Sequence, residues 1–174
     1  MNQGYETPRL WRVEWQSAIG LLRVWCSERG VSRVWLPGLQ PKPPAGRVEW
    51  MEGPAAFPVE GRIDAYLEGK RPTFDLPLDL EGTPFALDVW LALGEIPTGE
   101  TVTYGQLAAR LGRPNAVRAV GTLLGKNPVP LLLPCHRVWP VGNGQSGGYV
   151  GGIELKRWLM AMERRCFVKQ EEAE

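Results

Sequence analysis

The sequence predicts an α+β fold: a small N-terminal domain with an antiparallel sheet, then a mostly helical C-terminal domain containing a helix-turn-helix. Residues 13–15, 21–26 and 31–36 alternate apolar with polar side chains and are separated by Gly20 and Gly30, the pattern of half-buried strands joined by tight turns. From Thr83 onward apolar residues recur every three or four positions, the period of helices packed on one face. Between the two patterns, proline and glycine punctuate the chain. The expected domains are residues 1–78 and 79–170, followed by an acidic tail at 171–174.

Taken in order, the first three runs form an antiparallel meander. Residues 37–58, rich in proline and glycine, make an irregular connection with one further strand at 47–51. A helix over 59–67 closes this unit, with Gly69 in the stopping position, and 74–82 forms an extended linker. Thr83 caps the next helix, whose first turn accepts Pro84 and whose Phe85, Val89, Trp90 and Leu93 share a face up to Gly94. Thr103 opens a second helix to residue 111. After Gly112-Arg113-Pro114 a third runs over 115–125, and so short a turn between two helices makes a helix-turn-helix.

On that third helix Val117, Val120 and Leu124 form an apolar stripe. Asn115, Ala116, Ala119, Gly121 and Thr122 keep the remainder small, and Arg118 is the one long side chain among them. Direct base readout in the major groove uses several long hydrogen-bonding side chains, which this surface lacks. A shallow-groove contact with one arginine as wedge fits it better, the alternative being that Arg118 is an ordinary exposed residue. The apolar run 131–133 reads as a short buried strand delivering Cys135, and 142–152 as a glycine-rich loop around Tyr149 without phosphate-loop spacing. The last helix, 153–166, turns Leu155, Leu159, Met162 and Cys166 inward and places Glu163 in line with Leu155 and Leu159.

Composition narrows the function classes. Hydrophobic residues make up 44% of the chain, enough for a proper core. No apolar run approaches the length that crosses a bilayer, which excludes an integral membrane protein. Three cysteines cannot all pair, and residues 1–10 are polar with prolines rather than leader-like, so a reduced, cytoplasmic protein is expected. The net charge of +1 is unevenly spread: residues 101–170 hold ten Lys and Arg against Glu154 and Glu163 alone. Such a basic module is the electrostatic footprint of a polyanion partner, although a merely solvated basic face would give the same count.

The densest chemistry lies in Pro134-Cys135-His136-Arg137-Val138, which contains the only histidine of the chain and one of three cysteines. A cysteine attacks as thiolate, and an adjacent imidazole or arginine is expected to lower its pKa far enough to populate that form. An inert buried cysteine is the alternative; the flanking proline and cationic side chains argue against it. On an extended strand His136 would point away from the Cys135 sulfur, so any proton transfer between them needs a backbone turn or a bridging water. Glu163, leaning into a core, needs a partner, and the sole histidine is the natural one, giving a Cys, His and Glu series of nucleophile, base and orienting group. An ion pair from Glu163 to Arg118, Arg137 or a lysine is the competing reading.

These residues carry a resemblance. Gly82-Thr83-Pro84-Phe85, Val89-Trp90, Ile96-Pro97, Gly99-Glu100-Thr101, Tyr104 with Gln106-Leu107-Ala108, Arg118-Ala119-Val120-Gly121, Asn127-Pro128-Val129-Pro130, the Cys135 pentapeptide, and Gly148-Tyr149 with Gly151-Gly152, Lys156 and Glu163 run in order along the chain. Together they resemble the catalytic domain of the O6-alkylguanine-DNA alkyltransferases, which move an alkyl group from guanine O6 to a cysteine. The N-terminal part resembles the family's small sheet domain only loosely, through Ser17 to Gly20 and Tyr66 to Pro77.

The resemblance implies single-turnover repair of O6-alkylguanine, with O4-alkylthymine as a further substrate, in double-stranded DNA. The helix-turn-helix would approach from the minor groove, the damaged base would be flipped out, and Arg118 would fill the space. It further implies Cys135 as nucleophile, His136 as base through a water, Glu163 as its holder, Tyr104 as donor to guanine N3 and Asn127 as brace of the nucleophile's turn. Pro130, Val138, Tyr149, Val150 and Gly151 would line the pocket. Thr103, Tyr104, Ala116, Arg118, Ala119, Gly121, Thr122, Lys126 and Arg137 would meet DNA. No cofactor, no metal and no membrane partner are expected, and the protein would act as a monomer.

Departures from the family pattern are Val150 in place of a small residue, Trp139-Pro140 in place of a small aliphatic one, a loop before Tyr149 longer by one residue, and no histidine outside position 136. The alternative function is that of an alkyltransferase-like protein that binds and flips alkylated guanine without removing the group, and Cys135 argues against it. A sequence-specific helix-turn-helix regulator would leave the Cys135 segment unexplained, and a thiol hydrolase would need an oxyanion hole that no motif supplies.

Overall fold

A computed structural model describes residues 7–42, 46–142 and 148–168. The expected tail at 171–174, and parts of the 1–10, 37–58 and 142–152 segments, lie outside those residues. The N-terminal unit is a four-stranded sheet of β1 (Arg9–Ser17), β2 (Gly20–Cys26), β3 (Val31–Trp35) and β4 (Glu49–Met51), in the order β3-β2-β1-β4. The first three strands form the antiparallel meander; β4 adds to the far edge of β1 in parallel, a pairing that alternation alone does not specify. Leu22, Val24 and Cys26 of β2 face inward, where α1 (Val59–Leu67) lays Val59, Ile63, Tyr66 and Leu67 against the sheet. Each fully buried leucine or isoleucine contributes about 2 kcal/mol.

The segment 74–82 is extended, but it is no free linker. Val31 N–H donates to the Pro77 carbonyl at 2.8 Å and Asp79 N–H to the Val31 carbonyl at 2.9 Å, which seals the outer edge of β3. Gly30 permits this approach, because a Cβ there would sit 2.4 Å from the Pro77 oxygen.

The second unit contains α2 (Pro84–Leu93), β5 (Val102–Thr103), α3 (Tyr104–Arg110), α4 (Val117–Leu124), β6 (Val138–Trp139) and α5 (Ile153–Glu163). Thr83 caps α2 through Ala86 N–H, and Thr103 with Gln106 makes a reciprocal capping box on α3, satisfying end groups that a helix leaves open. The third expected helix begins as a 3-10 turn at Pro114–Ala116 and becomes α-helical only at Val117. Its apolar stripe is narrower than expected: Val120 and Leu124 are buried, but Val117 is exposed. After α5 the chain widens into a π turn at Arg164–Val168.

The expected strand at 131–133 is a buried turn. Leu131 takes a φ of +77°, Leu133 N–H closes on the Val129 carbonyl at 3.0 Å, and Cys135–Arg137 form a 3-10 turn. The run is apolar because the turn is packed inside the protein, and burial alone does not distinguish a strand from a turn. The core is continuous across residue 78, joining Leu22, Ile63 and Tyr66 to Val89, Leu93, Leu131 and Leu159.

Candidate active site

Two short elements bring the site together. The parallel pair β5 and β6 matches Val102 with Val138 and Thr103 with Trp139, so the first residue of α3, Tyr104, starts beside the strand that follows Cys135–Arg137, itself led by the buried turn at 129–133. Asn127 holds that turn from within: its Nδ2 donates to the Leu133 carbonyl at 2.7 Å and its Oδ1 accepts from Val129 N–H at 3.1 Å. The same side chain acts to lower the Cys135 pKa, against the larger effect of burial. A left-handed φ on a leucine costs roughly 1–3 kcal/mol, and these bonds hold Leu131 there.

His136 and Glu163 meet as expected, with Nε2 and Oε1 2.8 Å apart and both side chains fully buried. The competing ion pair forms as well. Arg137 reaches Oε1 with Nη2 at 2.8 Å and Oε2 with Nε at 3.1 Å, and spends Nη1 on the Ile96 carbonyl at 2.5 Å and Nη2 on Thr98 Oγ1 at 3.1 Å. Arg137 is 6% exposed, so its expected place on the DNA surface is corrected: it is an internal partner of Glu163. Gly99 N–H adds a 2.7 Å bond to Oε2. Only glycine suits position 99, where φ is +80° and a Cβ would lie 2.3 Å from Val168.

Burial alone would raise the Glu163 pKa, but hydrogen bonds and charge from His136 and Arg137 outweigh it and hold the carboxyl down to about 2. Burial lowers the His136 pKa, against the opposing pull of Glu163, so the imidazole is neutral near pH 7. An ionised carboxylate only accepts, which assigns the proton to Nε2 and leaves Nδ1 as a lone pair. That Nδ1 is buried with no partner among the described residues.

Cys135 differs from the expectation of a resting thiolate. Burial pushes its thiol up to about 11, with only partial relief from Asn127 and Lys156; His136 is neutral and Arg137 is committed to Glu163. The residue is 5% exposed. Tyr104, half-buried, and Tyr149 lie close enough for the charge of a Cys135 thiolate to act on their hydroxyls. The Tyr149 hydroxyl is itself buried and unpartnered among the described residues.

Of the other expected pocket residues, Val138 is buried and its carbonyl is taken by Lys156 Nζ at 2.7 Å, while Val150 and Gly151 are half-buried. Pro130 and Val150 line, with Asn127, a cleft of about 1460 Å³ against the β1–β3 sheet, and Cys135 is not among its lining residues. On the expected DNA face Arg118, Ala119, Thr122 and Lys126 are exposed, and Thr103, Tyr104, Ala116 and Gly121 are half-buried. Among the described residues Arg118 makes no ion pair, and no group of three His, Cys, Asp or Glu is placed to hold a metal. No helix in them is long and apolar enough to cross a membrane.

Two residues of the site had no assigned role in the sequence reading. Lys156 is 1% exposed, sits 4.4 Å above the Trp139 ring and has its pKa lowered to about 8 by burial. Its helical register with Leu159, Met160 and Glu163 is the signal that places it inward. Tyr66 of α1 donates from its hydroxyl to Glu163 Oε1, and only its apolar register on α1 is legible.

Comparison with known proteins finds the following likenesses. Residues 84–165 match the family described as 6-O-methylguanine DNA methyltransferase, DNA binding domain. The methylated-DNA--protein-cysteine methyltransferase of Mycolicibacterium paratuberculosis is 47% identical over 122 residues, covering 68% of this chain and 72% of that protein. Its namesake from Methanosarcina mazei is 44% identical over 117 residues, covering 66% and 73%. The crystal structure of Mycobacterium tuberculosis O6-methylguanine methyltransferase superposes with a TM-score of 0.79 at 35% identity, covering 90% of this chain and 94% of that one. The structure of the Mycobacterium tuberculosis OGT in complex with DNA gives 0.77 at 35% identity, covering 90% and 93%. With these likenesses, and with Cys135, His136 and Glu163 all buried in the matched region, the chain belongs to the methylated-DNA--protein-cysteine methyltransferase family.

Proposed function

We propose that this protein repairs duplex DNA by moving an alkyl group from guanine O6 to Cys135 in a single turnover. The observation that carries the proposal is a neutral, fully buried imidazole, next in sequence to a covered thiol, whose Nε2 is fixed by Glu163 and whose Nδ1 has no partner among the described residues. A thiol near pKa 11 does not attack on its own at neutral pH, so its proton must leave as the sulfur reacts. A water between the thiol and Nδ1 would carry that proton. Sulfur forms a bond to the alkyl carbon, the carbon to O6 bond breaks, the proton passes to His136, and the imidazolium is stabilised by Glu163.

Negative charge then develops on the departing guanine, and the Tyr104 hydroxyl is the donor toward N3. The buried, unpartnered Tyr149 hydroxyl supports a polar edge of the base entering there, since such a group in a native core calls for a partner. Pro130, Val138, Val150 and Gly151 would complete the pocket. A thioether has no good leaving group, so the alkylated protein is spent.

Access to so covered a sulfur favours a base extruded from the helix over one still stacked. The α3–α4 pair is the DNA-binding helix-turn-helix, lying in the minor groove with Arg118 in the space vacated by the base. Thr103, Ala116, Ala119, Gly121, Thr122 and Lys126 contact the strand around it. Residues 79–170 form the DNA-binding and acceptor domain, residues 1–78 support it, and the protein acts as a cytoplasmic monomer with no cofactor. The test is incubation with a duplex containing O6-methylguanine: one methyl mass should appear on the Cys135 peptide as unmodified guanine appears in the DNA. Lesion binding without mass gain would instead support the flip-and-mark reading, against which the Cys135 thiol stands.

A further inference from the structure

We propose that Tyr66, from α1 of the N-terminal unit, is a positioning residue of the alkyl-transfer site, its hydroxyl holding the Glu163 carboxylate that orients His136. The inference rests on the function proposed above and extends it to a part of the chain otherwise credited only with support.

Tyr66 is fully buried, and its hydroxyl reaches across 97 residues of sequence to donate to Glu163 Oε1, lying also 3.3 Å from His136 Nε2. Its ring packs against Phe74, 4.7 Å between centroids, and against Phe167, stacked at 6.1 Å, contacts that hold the hydroxyl at Glu163. Burial and the Glu163 charge keep the phenol well above its ordinary pKa, so it remains a donor throughout the working pH range.

The consequence follows from sharing one oxygen. His136 is faced by Tyr66 from α1, by Glu163 and Lys156 from α5, by Arg137 from its own turn, and by the Tyr149 ring at 6.3 Å. Glu163 alone among these is negative at neutral pH, so its hydrogen bond and charge are what favour a proton on His136 against the larger, opposing effect of burial. Tyr66 accounts for part of that charge by donating to the same Oε1 that meets Nε2. The hydroxyl therefore steadies the carboxylate and keeps the resting imidazole neutral, ready to receive the thiol proton.

The single histidine makes this directly readable, because imidazole NMR of the full-length protein reports one titration. Tyr66→Phe keeps the ring and removes the hydroxyl, and Tyr66→Leu removes it with different packing. Both should raise the His136 pKa, by about one unit, and slow methyl transfer about tenfold, the scale of one hydrogen bond to a charged group. The acid limb of the pH-rate profile should move upward with the titration, while DNA affinity stays unchanged. In a Glu163→Gln background Tyr66→Phe should no longer shift the titration. An unmoved or lowered His136 pKa, a shift that persists without the Glu163 charge, or slowing that only follows a lower melting temperature would overturn the role. The NMR readout needs no transfer: a wild-type protein that takes up no methyl overturns the proposed function, whereas normal transfer with an unmoved titration overturns Tyr66 alone.

Discussion

Arg137 and Glu163 form a buried ion pair at 2.8 Å, so the arginine beside the nucleophile serves the interior and not the DNA. Removing one member of such a pair leaves the other charged and uncompensated. Arg137→Ala should therefore lower unfolding free energy by about 3–5 kcal/mol in denaturant titrations. The fraction that remains folded should bind undamaged duplex with the same salt slope as wild type. A shallower slope with full stability would return Arg137 to the surface.

Stability should fall on acidification in two stages. The Glu163 pKa is depressed to about 2, so its contribution is complete above the unfolded value of 4.5 and is lost as pH drops from there toward 2. That contribution is about 3 kcal/mol. His136 is lowered too: the unfolded chain gains a proton below 6.5 that the folded one resists, so stability declines first through that range. Denaturation midpoints measured from pH 8 to pH 3 should show both stages, and Glu163→Gln should remove the lower one.

Thiol labelling should run against intuition. Cys135 and Cys26 are buried with thiols raised to about 11, whereas Cys166 is half-exposed. Iodoacetamide at pH 7.5 should modify Cys166 first, leaving Cys135 more than tenfold slower, with a rate that climbs as pH approaches its raised pKa. Peptide mass spectrometry showing Cys135 labelled first would demand a resting thiolate.

Asn127→Ala removes two hydrogen bonds from a turn that holds Leu131 at positive φ. A stability loss of about 2–3 kcal/mol is expected, and methyl transfer per folded molecule should fall further still because the thiol loses its aim. Equal losses in the two measurements would make the residue purely structural.

Arg118 is exposed and free of ion pairs among the described residues. Arg118→Ala should reduce base extrusion, read by the fluorescence of 2-aminopurine opposite the lesion, by roughly tenfold or more, the scale of losing a few kcal/mol of compensation for unstacking. Affinity for undamaged duplex should change only about twofold, as for one phosphate contact. Matched losses would reduce Arg118 to a backbone contact.

Much of this fold is legible in the sequence because its local signals agree with its packing. Alternation locates β1 to β3, and Thr83 and Thr103 announce α2 and α3 through their caps. Helical register turns Glu163 inward toward a histidine that has no rival in the chain. What stays hidden depends on non-local contact. The apolar run at 131–133 has no period to separate strand from turn, and the parallel attachment of β4 arises between distant segments. The fate of Arg137 depends on Ile96, Thr98 and Glu163 converging on it, and the raised pKa of Cys135 depends on burial that adjacent cationic residues conceal.

The two-rung ladder between β5 and β6 has a mechanical consequence. Thr103 is both the cap of α3 and the partner of Trp139, four residues past the nucleophile. The start of α3 and the strand that follows Cys135 are thus pinned together through one residue, Thr103. Lengthening the chain by one residue between Thr103 and Tyr104 would part the cap from the helix it closes and so undo that link.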